Sequence, residues 1–123
     1  MASILVVDDS ALVRNMLSVL LTDVGHQVFE AINGEEALDK INEKTFDLVM
    51  TDVNMPIVDG IALCRELRQR ADYRFTPVLI ITTESSDEMK QQGKAAGATG
   101  WLVKPFDPQK LLHSVSLLCG RAS

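Results

Sequence analysis

Six residues of this chain could do chemistry together, and each group of them follows a short apolar run. Asp8 and Asp9 come after "ILVV", Asp52 after "LVMT", Thr82 and Thr83 close "PVLIITT", and Lys104 follows "WLV". Taken singly, each has a plain structural explanation: a helix cap, a loop residue before a turn, strand threonines, a surface lysine. Taken together, three carboxylates, two hydroxyls and an ammonium describe a site. Adjacent carboxylates repel, and burying one without a partner costs several kcal/mol or raises its pKa. Such a cluster calls for a cation. Its ligands would be hard oxygens with no His or Cys beside them, which selects Mg2+, with Mn2+ as the alternative. Mg2+ keeps waters and open positions and commonly brings in a phosphate. Lys104 offers positive charge to a phosphoryl oxygen, Thr82 offers a hydroxyl, and one carboxylate can attack phosphorus. The first loop, "DDSA", is not glycine-rich. Without metal it repels phosphate, which argues against a P-loop or a flavodoxin-type cofactor loop.

The elements that must position these residues alternate along the chain. Ile4–Val7 is wholly apolar, as expected of a central parallel strand covered on both faces. Ser10 to Val24 carries Val13, Met16, Leu17, Leu20 and Val24 at helical spacing, with Gly25 as a stop. His26–Ala31 is half polar and reads as an edge strand. Asn33 caps a helix over 34–44 with Glu35 and Glu36 in its first turn, where the dipole favours them. Phe46–Thr51 is a third strand, and Asp59 caps a helix over 60–69. Pro77–Thr82 is a fourth strand. Ser85 with Glu88 spells a capping box for a helix ending near Ala96. Residues 99–103 form a fifth strand, and Asp107 with Pro108 opens a last helix reaching about Cys119.

Five βα units in strict alternation imply an α/β fold: a doubly wound five-stranded parallel sheet with helices on both faces. Ligands in such sheets sit outside the carboxyl ends of the strands, where all six residues fall. The first and third strands would lie about 4.8 Å apart, crowding Asp8, Asp9 and Asp52 together.

Composition narrows the partners. A chain of 123 residues fits one domain, with 46% hydrophobic and 24% charged residues, an ordinary globular balance. The net charge of −5 argues against non-specific nucleic-acid binding, which needs Lys and Arg to neutralise phosphates. No run approaches the roughly 18 apolar residues of a membrane span, and none resembles a signal peptide. A soluble, cytoplasmic protein is expected. Cys64 and Cys119 have no metal-ligand spacing and read as reduced, buried thiols. They would lie on helices covering opposite faces, beyond the roughly 7 Å reach of a disulfide.

The stretches "ILVVDDS", "DLVMTDVNMPIVDG", "LIITTE" and "AAGATGWLVKPF" together resemble bacterial response-regulator receiver domains of the CheY-like, single-domain chemotaxis kind, over nearly the whole chain. The resemblance implies the flavodoxin-like strand order 2-1-3-4-5. It implies Asp52 as the phosphoacceptor for a histidine kinase, Asp9 as a direct Mg2+ ligand, Asp8 as a ligand through water, and Asn54 as a ligand through its backbone carbonyl. Lys104 and Thr82 would contact the phosphoryl group. Trp101 stands at the switch-aromatic position, where the family usually has Tyr or Phe. On phosphorylation Thr82 would move toward the new group, and the space it leaves would admit Trp101. Asn54, Thr83 and Glu84 would tune access and lifetime, and the Lys104–Pro105 bond would be cis.

By this resemblance the chain is expected to be a receiver domain over residues 1–123 with no output domain, and a monomer. It would catalyse its own phosphorylation and dephosphorylation and signal through the fourth helix, fifth strand and fifth helix to a downstream protein. The fourth helix, "DEMKQQGKAA", has only Met89 as a large apolar residue, which suits an element of low local stability. The competing enzyme reading is a Mg2+-dependent phosphohydrolase with an aspartyl-phosphate intermediate. Such enzymes usually carry DxD on the first strand and a cap domain, neither of which is legible here.

Overall fold

The computed structural model describes residues 2–119. The chain forms β1 (Ser3–Val7), α1 (Ala11–Asp23), β2 (Gln27–Ala31), α2 (Gly34–Glu43), β3 (Leu48–Thr51), α3 (Gly60–Arg68), β4 (Val78–Thr82), α4 (Asp87–Ala96), β5 (Gly100–Val103) and α5 (Pro108–Cys119). The five strands make one sheet in the order β2-β1-β3-β4-β5, and every pairing is parallel. β2 is an edge, as its half-polar sequence requires.

Strand alternation divides the core in two. Ile4, Val6, Leu48, Met50, Leu79 and Ile81 pack with Leu17 and Leu21 of α1 and Leu111 and Val115 of α5. Leu5, Val7, Val49 and Ile80 face the other way, toward α2, α3 and Ala96 of α4. The central strands β1, β3 and β4 are therefore apolar at nearly every position, as strands buried on both faces must be. Cys64 belongs to one layer and Cys119 packs on the other, and both thiols are free.

Local chemistry sets the helix starts. Asn33 Oδ1 accepts from Glu36 N–H at 2.8 Å, Asp59 Oδ1 from Ala62 N–H at 2.8 Å, and Asp107 Oδ1 from Gln109 N–H at 2.8 Å. Each satisfies a donor that a helix N-terminus leaves without a partner.

Two expectations need correction. The cap of α4 is Ser86, whose Oγ accepts from Met89 N–H at 3.2 Å, and not Ser85. With Ser86 as the cap, Asp87 and Glu88 are the first two helical residues, where the dipole favours both. The buried line of α1 is Leu17 and Leu21, flanked by half-buried Val13 and Leu20. Met16 is 43% exposed and Val24, the C-cap, 53%. The sheet is met by the i, i+4 line through 17 and 21; Met16 is turned about 100° away from it. A short 3-10 turn, Ala71–Tyr73, has no counterpart among the sequence patterns. It drives Tyr73 into the core, where the hydroxyl donates to the Lys44 carbonyl at 2.8 Å and accepts from Phe46 N–H at 3.1 Å.

Candidate functional site

The ends of β1, β3, β4 and β5 converge on one rim. Asp8 and Asp9 follow β1, Asp52 follows β3, and Lys104 follows β5, with Thr82 as the last residue of β4. The β1–β3 register sets Val7 beside Thr51, so the residues after them are neighbours. One carboxylate oxygen from each of Asp8, Asp9 and Asp52 lies within 4.8 Å of the others.

Asp8 is buried, Asp52 half-buried and Asp9 exposed. Asp8 is still tied to the sheet, its N–H donating to the Ala31 carbonyl at 3.1 Å, while the chain bends outward at Asp9. Asp8 Oδ1 accepts from Ser10 N–H at 2.9 Å, and Asp8 Oδ2 accepts from Lys104 Nζ at 2.8 Å. The same ammonium donates to Asp52 Oδ2 at 2.9 Å. Asp52 Oδ1 is turned back to its own loop, accepting from Val53 N–H at 2.6 Å and Asn54 N–H at 3.3 Å. Sequence reasoning gives Lys104 to a phosphoryl oxygen; its bridge between Asp8 and Asp52 is a further contact that the sequence does not show.

Burial pulls the Lys104 ammonium toward neutrality, but the hydrogen bonds and charges of Asp8 and Asp52 outweigh it and hold its pKa above the usual lysine value. Lys104 is thus a full cation at neutral pH. Arg14 is a second supporting residue that the sequence does not flag. Its guanidinium donates to the Asp8 carbonyl at 2.7 Å and pairs with Glu30 at 3.1 Å. Only knowledge of which α1 side chains return to β1 could have found it.

The loop after β3 is pressed tightly against α3. Gly60 begins α3 where an added Cβ would collide with the Asp52 carbonyl oxygen, and Gly60 N–H donates to Val53 O at 3.0 Å. Glycine there lets the helix start directly behind Asp52. The Lys104–Pro105 bond is cis.

Thr82 is fully buried, and its Oγ accepts from Glu84 N–H at 3.3 Å. Its own proton is left to donate. Thr83 is exposed. Glu84 Oε2 accepts from Asn54 Nδ2 at 3.2 Å across the mouth of the site. Trp101 stands beside Ile80 in the β4–β5 ladder, its ring against Gly93 of α4 and its Nε1–H donating to the Glu84 carbonyl at 2.9 Å. The indole is half-buried, with its ring against α4.

The donor set suits a hard divalent cation: three carboxylate oxygens close enough to share one ion, with neither imidazole nor thiolate in the cluster. Among the described residues no helix is long and apolar enough to cross a membrane.

Comparison with known proteins agrees with this geometry. The response regulator receiver domain family matches residues 4–116. The transcriptional regulatory protein ResD of Bacillus subtilis is 38% identical over 120 residues, 98% of this chain and 49% of ResD. Protein PilH of Pseudomonas aeruginosa is 36% identical over 116 residues, 94% of this chain and 96% of PilH. The chain thus spans about half of ResD but nearly all of PilH. Among solved structures, the Vibrio cholerae chemotaxis protein CheY4 is 48% identical, covers 96% of this chain and 98% of its own, and superposes with a TM-score of 0.91. With residues 4–116 matched and the carboxylates, hydroxyl and lysine gathered at the strand ends, the chain belongs to the response regulator receiver domain family.

Proposed function

We propose that Asp52 receives a phosphoryl group from a phosphohistidine of a histidine kinase and that the modified chain switches its affinity for a downstream protein. The observation that carries this is the shared ammonium: Lys104 Nζ lies 2.8 Å from Asp8 and 2.9 Å from Asp52. A lysine held between two carboxylates can turn to a phosphoryl oxygen without travelling far. Asp9 and Asp52 directly, Asp8 through a water, and the Asn54 carbonyl would hold Mg2+ or Mn2+. When bound, that ion neutralises charge on the phosphoryl oxygens.

The chain's own residues account for the remainder. The N–H groups of Val53 and Asn54 fix the Asp52 carboxylate. An Asp52 oxygen forms the new bond to phosphorus as the P–N bond to the donor imidazole breaks, and the imidazole takes a proton from solvent. Lys104 stabilises charge on an equatorial oxygen, and positioned charge of this kind does most of the catalytic work in phosphoryl transfer. Thr82 donates its hydroxyl to another oxygen. The product carries close to −2 charge at a rim that previously held an ion pair, and this change biases α4, β5 and α5 as the output face. The near full-length likeness to PilH and to the chemotaxis protein CheY4 supports signalling by protein contact.

The test is incubation with Mg2+ and acetyl phosphate, followed by intact-mass and peptide mass spectrometry. One phosphoryl group on Asp52 in the wild type and none in Asp52→Asn is expected. Equal labelling of both would overturn the assignment. Turnover of simple phosphate esters would instead favour a phosphohydrolase.

A further inference from the structure

We propose that Trp101 is a positioning residue for the phosphoryl chemistry at Asp52, acting through the backbone of Glu84. This rests on the reading of Asp52 as phosphoacceptor.

Glu84 lies in the β4–α4 connection, and each of its three polar groups has a different partner. Its N–H donates to Thr82 Oγ at 3.3 Å, its carbonyl accepts the indole Nε1–H of Trp101 at 2.9 Å, and its carboxylate accepts from Asn54 Nδ2 at 3.2 Å. Asn54 in turn donates its backbone N–H to Asp52 Oδ1 at 3.3 Å. Hydrogen bonds joined through the covalent frames of Glu84 and Asn54 therefore run from the indole to the phosphoacceptor.

The indole is the firm end of this set. A Cβ at Gly93 would stand 2.6 Å from Trp101 Cζ3 and 3.0 Å from Cε3, so the ring fills the place a larger residue at 93 would need. It also packs on the core layer that contains Ile80 and Ala96. Thr83, Ser85 and Ser86, by contrast, are exposed, and the Glu84–Asn54 bond lies in solvent. An exposed side-chain hydrogen bond holds little geometry unless its backbone is fixed. The indole N–H fixes it.

Loss of the phosphoryl group requires water to form a bond to phosphorus in line with the P–O bond to Asp52. That bond breaks with its electron pair returning to the carboxylate, and both water protons leave with the inorganic phosphate or pass to solvent. The Asn54 amide is bonded to the Glu84 carboxylate beside Asp52, and both polar groups are placed to contact this water. Holding them in one arrangement orients the water, and orientation is worth rate. Releasing Glu84 slows hydrolysis by the factor that one hydrogen bond supplies, about 2 to 10.

The experiment labels the full chain with acetyl phosphate and Mg2+, removes the donor and follows loss of the aspartyl phosphate by intact mass. Trp101→Phe keeps a ring and removes the N–H. Replacement of this single tryptophan by its benzothiophene isostere removes the N–H with the shape retained, so folding is preserved if Phe packs poorly. Both should lose phosphate about 2 to 10 times more slowly than wild type, with Mg2+ affinity unchanged. Glu84→Ala should slow it at least as much, and adding Trp101→Phe to Glu84→Ala should change nothing further. A merely structural tryptophan would give additive effects. Wild-type lifetime in the isostere, or full additivity with Glu84→Ala, would overturn the inference while Asp52 labelling stands. Absence of Asp52 labelling in the wild type would overturn the phosphoacceptor reading and this inference with it.

Discussion

Replacing Lys104 by Met tests the electrostatic argument most directly. The ammonium lies 2.8 Å from Asp8 Oδ2 and 2.9 Å from Asp52 Oδ2, with side-chain exposures of 15%, 4% and 12% for Lys104, Asp8 and Asp52. Two unit charges about 4 Å apart interact by about 4 kcal/mol at an effective dielectric constant near 20. Removing one partner of a buried pair generally costs about 3–5 kcal/mol. Here the carboxylates keep the N–H groups of Ser10, Val53 and Asn54, and the open mouth admits water. We therefore expect a loss of about 2 kcal/mol, or about 8 °C in Tm for a chain of this size. Mg2+ should narrow this gap. In the wild type an ion must displace the ammonium, and in Lys104→Met it need not, so binding should tighten about tenfold, worth about 1.4 kcal/mol more stabilisation. Urea unfolding of both proteins with and without Mg2+ measures all four states. A variant as stable as wild type without Mg2+, or equal Mg2+ stabilisation of the two, would refute the shared-ammonium account.

Tyr73→Phe should cost about 1–3 kcal/mol in urea unfolding, because it leaves the buried Phe46 N–H without its acceptor. Burial raises the Tyr73 phenol pKa above its usual value, the Phe46 hydrogen bond opposing it only in part. Ionisation is then easier unfolded than folded, so wild-type stability is intact below about pH 10 and falls as pH rises through the folded pKa; the Phe variant should lose part of that alkaline slope. Ile57 adopts φ 73° with Val58 N–H bonded to Pro56 O at 2.9 Å, a positive-φ γ-turn at an exposed β-branched residue. Ile57→Asn should raise stability by about 1 kcal/mol; a decrease in Tm would show that the turn carries no strain.

Much of the fold was legible because its signals are local. Apolar runs, cap residues such as Asn33, Asp59 and Asp107, and strict alternation specify the elements without reference to anything distant. Errors arose where two local patterns competed. Ser85 and Ser86 both offer a cap, and Ser86 takes it. The site residues were legible for a different reason: each ends a strand, and parallel strands bring their ends together whatever the helices do. Their mutual contacts were not legible. Nothing in "WLVKP" says that Lys104 will bridge Asp8, 96 positions away. The meaning of Gly93 was hidden in the same way. In sequence it weakens a helix already poor in apolar residues, by about 1 kcal/mol relative to Ala. In the structure it is where the indole of Trp101 lies against α4. The cost in helix propensity and the fit of the ring are consequences of one residue choice, so a larger residue at 93 would strengthen the helix locally while expelling the group that holds Glu84. Helix stability and site geometry are opposed at that position, and the sequence has chosen the site.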